Sequence, residues 1–489
     1  MAVGAAGRHT GVATSHDLAW EQTPASYAAV ECDAARQLCE RSLLEMTPHE
    51  DAILTGEDLD LLRKQFAADP AYRRMQNAVT QTSIDDIALD RQIVTTTDHA
   101  MSHLLDDWKV TNQKNSGRCW AFAGLNLLRV GAAHKLNLKD FEFSQSHVMF
   151  WDKLERANYF LEAIIETTDR DADDRTVTCL LDTVIDDGGQ WNMFAAIVAK
   201  HGLVPKSAMP ETESSSNSGR MNVALRAVLR EGARTLRGLA DEEQRRERKR
   251  DILAVAHRIL SIHLGTPPER FFWQWTDKDR AFHRDGELTP LEFVEKYVTI
   301  PFRDYVCLVD DPRPSSPRGA TLTVDYLGNV VEAPLVTYLN VEVATMKELA
   351  AKAIVDGEPV WFGCDVGPML RRDLGIWDAA LYDLDGVYDT HFGLDKADRL
   401  VYRGSQMTHA MLFTGVDLVD DMPRRWRVEN SWGDEIGTDG FFTMNDNWFD
   451  EYVFEVAVHR DRLSPAHRAA LDQPPIVLPA WDPMGALAR

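Results

Sequence analysis

The sequence predicts an α+β fold, with a helical half, a β-rich half and a cleft between them. Three observations carry that reading. Helical periodicity begins near Glu57 with DLDLLRKQF; from about residue 320 it gives way to β-rich segments bounded by Gly, Asp or Pro; and a cysteine opens an apolar helix in the first half while a histidine and an asparagine punctuate strands in the second. Helices first and strands later is the α+β order, and the natural site is the cleft where the halves meet. At 489 residues, 44% hydrophobic and 27% charged, the chain is an ordinary globular one with room for a large core.

Taken in order, residues 1–56 are small and polar, then weakly helical, and read as a loosely attached extension. Residues 57–204 form the helical half. Within it, WAFAGLNLLRVGAAHKL after Cys119 is apolar on nearly every side, as expected of a helix buried in a core. Residues 205–318 differ in composition and read as an inserted helical subdomain, in which Ile252, Val255, Ala256, Ile259 and Leu260 recur at helical spacing. Its DEEQRRERKR run mixes signs and reads as a solvated helix face. Residues 319–473 supply the strands TLTVDYL, PVWFGCDV, AMLFTGVDLV, RWRVEN, GFFTM and YVFEVAVHR, and residues 474–489 form a tail.

The bulk numbers exclude several classes. A net charge of −24 repels phosphate backbones, so nucleic acid is not the expected partner. No apolar run approaches the roughly 18 residues of a membrane span, and the N-terminus lacks the pattern of a secretory leader. Six scattered cysteines fit reduced thiols in a cytoplasm better than a disulfide framework; Cys32 and Cys39 have no metal-like spacing, and no metal or cofactor is expected.

The chemistry-bearing residues are Cys119 in VTNQKNSGRCWAFA, His409 in QMTHAMLFTGV and Asn430 in WRVENSWG. A thiol is mostly protonated at neutral pH, and a helix N-terminus and an adjacent imidazolium both favour the thiolate. Cys119 is thus expected as a thiolate nucleophile, His409 as the group that protonates the leaving amine and activates water, and Asn430 as the acceptor that orients the imidazole. Acyl transfer also needs oxyanion donors, expected from the Gln113 side-chain NH₂ and the Cys119 backbone N–H. Trp432 is expected to pack over the His409–Asn430 contact, and Asp187 and Gln190 stand in a turn before a helix.

These motifs, together with FEFSQSHVMFWDKLERANYF, DDGGQWNMF, VWFGCDVG and the final LPAWDPMGALA, resemble the papain-type cysteine peptidases of the intracellular branch, the bleomycin hydrolases and aminopeptidases C. The resemblance spans residues 57–489 and implies that the DGGQW turn lies near the cleft, shaped by Asp187 or Gln190; a purely structural turn is the other reading. Two features separate the chain from secreted papain-like enzymes: Ser116 stands where their disulfide cysteine precedes the nucleophile, and about 290 residues separate Cys119 from His409, where 130–150 is usual. The resemblance implies a papain-like fold with large helical insertions and a homohexamer enclosing its active sites. It also implies an aminopeptidase acting on short peptides and amides with a free α-amine. A noncatalytic assembly or nucleic-acid-binding protein on the same fold is the alternative, and an endopeptidase with an N-terminal propeptide a third reading.

The tail, IVLPAWDPMGALAR, is stiffened by Pro479 and Pro483 and carries Trp481, which a disordered terminus rarely needs. By resemblance it lies in the active-site cleft, and the Ala488 carboxylate receives the substrate amine. That role requires loss of Arg489 by cleavage of the Ala488–Arg489 bond, for which Cys119 itself is one candidate.

Overall fold

The computed structural model describes residues 52–105 and 108–488. Most of the expected N-terminal extension, with Cys32, Cys39 and also Arg489, lies outside the described residues. The chain divides into two compact units, Met1–Gln81 and Thr82–Arg489. In the first, Thr55 and Asp58 form a capping box at the start of helix Gly56–Ala68, and Asp69 caps helix Pro70–Val79, whose first residue is a proline.

In the second unit the helix Cys119–Leu136 is buried along most of its length, as its all-round apolarity requires, and ends at Asn137 in the left-handed region, φ 54°. It packs against Gln145–Glu166, capped by the Ser144 hydroxyl, and against Trp191–His201. The insertion contains an antiparallel helical pair, Gly219–Gly238 and Glu242–Leu264. Gly232 lets the two approach closely: a Cβ there would lie 2.8 Å from Ile252 Cδ1. The DEEQRRERKR run is an exposed helix start, with Arg246 and Lys249 reaching Glu162 on Gln145–Glu166. The insertion is not helical throughout. Phe271–Thr276 and Phe282–Leu288 make a two-stranded ribbon, where aromatic residues at alternate positions bury Phe271 and Trp273 and expose Phe272. Strand Tyr305–Val309 then joins the main sheet.

That sheet is mixed and 12-stranded. At its centre, His409–Val419 runs antiparallel to both Val360–Cys364 and Met422–Glu429, with His409 opposite Cys364 and Leu412 opposite Glu429. The central strand is buried over most of its length, which accounts for its nearly continuous apolar sequence. Two buried contacts fix the cysteine helix on the sheet. Trp361 Nε1–H donates to the Trp120 carbonyl at 3.1 Å, and Glu429 Oε1 accepts from Arg129 Nη2 at 2.6 Å and Asn126 Nδ2 at 2.9 Å.

Candidate active site

Cys119 opens its helix at the end of a loop held from several sides. Arg118, 2% exposed, makes a two-pronged contact with Glu211 at 3.0 and 2.7 Å and donates to Ser116 Oγ. The Gly117 N–H donates to Asp187 Oδ2 at 3.1 Å, and Trp120 Nε1–H donates to the Asp187 carbonyl at 2.6 Å. A Cβ on Gly117 would sit 2.9 Å from that of Asp187, so the close approach itself selects glycine.

Asp187 is the hub of this support. Its carboxylate pairs with buried Lys153 at 2.7 Å and accepts from Ser218 Oγ and from Asn222 Nδ2 at 2.8 Å. Burial raises its pKa, but the Lys153 ammonium and these donors outweigh burial and hold it well below its ordinary value. Its contribution to stability is therefore full above the unfolded value of 3.8 and is lost only as pH falls through the depressed folded one. Asp187→Ala leaves a buried ammonium unpaired and frees the loop before Cys119. Equilibrium urea unfolding is expected to show a loss of about 3–5 kcal/mol near neutral pH.

His409 and Asn430 come together because their strands are neighbours. The imidazole is 5% exposed and Asn430 1%. Asn430 Oδ1 accepts from the Ser431 N–H at 2.7 Å and lies 2.9 Å from His409 Nε2. The backbone donor sets the amide orientation; Nε2 must then carry the proton, and Nδ1 is left as the base. Trp432 lies against the imidazole, ring centroids 5.0 Å apart at 34°.

Gln113 is oriented by its neighbours. Its Oε1 accepts from Ser431 Oγ at 2.5 Å, and one N–H donates to the Ser116 carbonyl at 2.6 Å, which leaves a second N–H. Gln113, Cys119, Asp187 and His409 line one cleft of about 380 Å³, together with Ala486 and Leu487 of the tail.

The tail is tied down before it reaches this cleft. Ile476–Leu478 pairs in parallel with Thr321–Val324; Arg313 bridges Asp311 and Asp482; and Arg175 covers the Trp481 ring at 3.9 Å. The Ala488 carbonyl accepts from Arg156 Nη1 at 3.0 Å, beside rather than within the space that Cys119 lines. Gln190 is fully buried and borders none of the cleft; neither of its side-chain polar atoms has a partner.

Electrostatics depart from the expected resting thiolate. Burial pushes the Cys119 thiol up to about 11, against backbone N–H groups that lower it, and pushes His409 down to about 4 despite the Asn430 contact. The helix start thus acts in the expected direction but is outweighed by loss of water. Each charge alone is costly in the closed cleft; created together by proton transfer, they offset one another most strongly where the dielectric is low.

Sequence reasoning missed Lys153, Ser431 and Arg118 as supports. A lysine inside the apolar helix run FWDKLER, and an arginine directly before the cysteine, were the available signals.

Residues 53–485 match the model of the Peptidase C1-like family. The chain is 43% identical over 440 residues to aminopeptidase C of Listeria innocua, covering 89% of this chain and 99% of that protein. It is 41% identical over 450 residues to bleomycin hydrolase of Homo sapiens, covering 89% and 99%. The crystal structure of PepW from Lactobacillus rhamnosis superposes with a TM-score of 0.87 at 43% identity, covering 89% of this chain and 99% of that one. With the helix-borne Cys119 and the strand-borne His409 lining a single cleft and Asn430 on the imidazole, these matches mean that the chain belongs to the Peptidase C1-like family and is a cysteine peptidase with the α+β papain-like fold.

Proposed function

We propose that this peptidase removes N-terminal residues from short peptides and amides, with Cys119 as nucleophile, His409 as acid and base and Asn430 as its orienting partner. In this mechanism the Cys119 proton passes to His409 Nδ1 as Sγ attacks the substrate carbonyl. The oxyanion is met by the Cys119 N–H and the free Gln113 N–H, and the imidazolium returns its proton to the leaving amine. His409 then takes a proton from water, which attacks the thioester and releases the acid and the thiol. The family and the relatives named aminopeptidase C support peptide hydrolysis. The noncatalytic and nucleic-acid-binding alternative is not supported.

The observation that carries the aminopeptidase reading is the presence of Ala486 and Leu487 in the cleft that Cys119 and His409 line. A tail there fills the side on which further N-terminal substrate residues would lie. Loss of Arg489 would create a carboxylate at Ala488, and Arg156, already on that carbonyl, would hold one of its oxygens and leave the other for the substrate ammonium. The test compares an aminoacyl fluorogenic amide with its N-acetylated twin. Cleavage of the free-amine substrate alone is expected; equal cleavage of both removes the tail as a ruler.

A homohexamer in the cytoplasm completes the proposal. The insertion exposes Val223, Ile262, Phe272 and Phe282, apolar surface suited to burial between subunits. The four described cysteines are free thiols, and among the described residues no helix is long and apolar enough to cross a membrane.

A further inference from the structure

We propose that Arg372 forms a carboxylate-binding subsite on the leaving-group side of the cleft, which takes the free C-terminus of dipeptide and tripeptide substrates. This rests on the aminopeptidase reading above and adds a second end to it: the tail would read the substrate's amine, and Arg372 its carboxylate.

His409 must hand its proton to the departing amine, so the departing fragment has to lie beside the imidazole. Ala486 and Leu487 of the tail border the space that Cys119 and His409 line, and Trp432 and Arg372 lie outside that lining. What lies against the imidazole is Trp432, at 5.0 Å between ring centroids, and over the Trp432 ring, at 4.2 Å, lies the Arg372 guanidinium. A fragment leaving along the indole therefore has two short steps from base to cation. Together they come to at most about 9 Å, which a hydrogen bond of about 3 Å at each end and one extended residue of about 3.3–3.6 Å between them cover.

The state of Arg372 points to a ligand of negative charge. Neighbouring Arg371 is engaged by Asp86 and Asp373 at 2.6 Å each. Arg372 is exposed, and among the described residues its guanidinium has neither an ion pair nor a hydrogen bond, in a chain whose net charge is −24. Stacking on an indole restrains a guanidinium while leaving its N–H edge open, and that edge matches a carboxylate in a two-pronged contact. The same positive charge adds to burial in disfavouring the His409 imidazolium. A bound carboxylate would offset that effect at the moment the imidazolium forms, so recognition and proton transfer would reinforce each other.

The test measures kcat/KM for Ala-Ala with a free carboxylate and for its C-terminal amide, using the intact enzyme, Arg372→Gln and Arg372→Lys. Any change in His409 acts on both substrates, so the ratio isolates the carboxylate contact. The wild-type ratio is expected to favour the free carboxylate by up to about fivefold at low ionic strength, chiefly through KM, and to shrink with added salt. Arg372→Gln is expected to bring the ratio to about one, and Arg372→Lys to keep part of the preference. A ratio that Arg372→Gln leaves unchanged overturns the subsite alone. Failure of the wild-type enzyme to cleave either peptide, or a fluorogenic aminoacyl amide, overturns the aminopeptidase reading and the subsite with it.

Discussion

Cys119→Ala is expected to lower turnover by at least about 10⁴-fold, with the urea midpoint close to that of the parent enzyme. The fold has little to lose from this change. Cys119 lies at the first position of its helix, its Sγ reaches the Gly117 carbonyl at a long 3.9 Å, and burial already favours the uncharged thiol. No ion is stranded by its removal. His409→Ala is expected to fall to a similar level, and the double variant to be no slower than either single one. Such non-additivity marks groups that act as a unit, since a base with no thiol to deprotonate contributes nothing further. Turnover that survives in Cys119→Ala would remove the thiol from the mechanism.

Removing residues 486–489 is expected to cancel the preference for a free α-amine, which a charge-assisted contact of this kind sets at about 10- to 100-fold. The truncated enzyme should cleave N-acetylated amides that the complete chain rejects. The shortened tail would remain attached, because the strand Ile476–Leu478 and the Arg313–Asp482 bridge lie upstream of the cut. A second effect follows from solvation. Ala486 and Leu487 border Cys119, whose thiol burial holds near 11; opening the cleft to water lowers that value toward the ordinary one. Alkylation of Cys119 by iodoacetamide at neutral pH should accordingly speed up. An unchanged amine preference in the truncated enzyme would contradict the assignment of the tail.

The sequence made the strand half legible because its segments are apolar, short and punctuated. Each of the six strand segments read from residue 320 onward contains a strand of the sheet, and the helix starting at Cys119 runs as its apolar pattern indicates. Less visible were the strand Tyr305–Val309, a five-residue run that periodicity cannot separate from a buried helix turn, and the aromatic ribbon Phe271–Leu288 inside a region of strong helical signals. At the site, residue types suggested which groups could react, but not which were dry. Cys119 and His409 line a space bordered by a tail more than 75 residues beyond His409 in the chain, and Gln190 could not be told from a cleft residue while its neighbour Asp187 borders the cleft. Arg372 and Arg371 are adjacent in sequence, and only their surroundings in space distinguish a structural ion pair from an open cation.

The contact of Glu429 with Arg129 and Asn126 has a bearing on how such an enzyme can be altered. Glu429 is the residue before Asn430, and its partners lie on the helix that begins at Cys119. Nucleophile and base are thus aligned from behind, by groups that no substrate touches. The tail end, which borders the space that Cys119 lines, and exposed Arg372 take no part in that contact. An engineer can therefore treat substrate choice as a separate module, redrawing both ends of the cleft while the reacting pair stays in register.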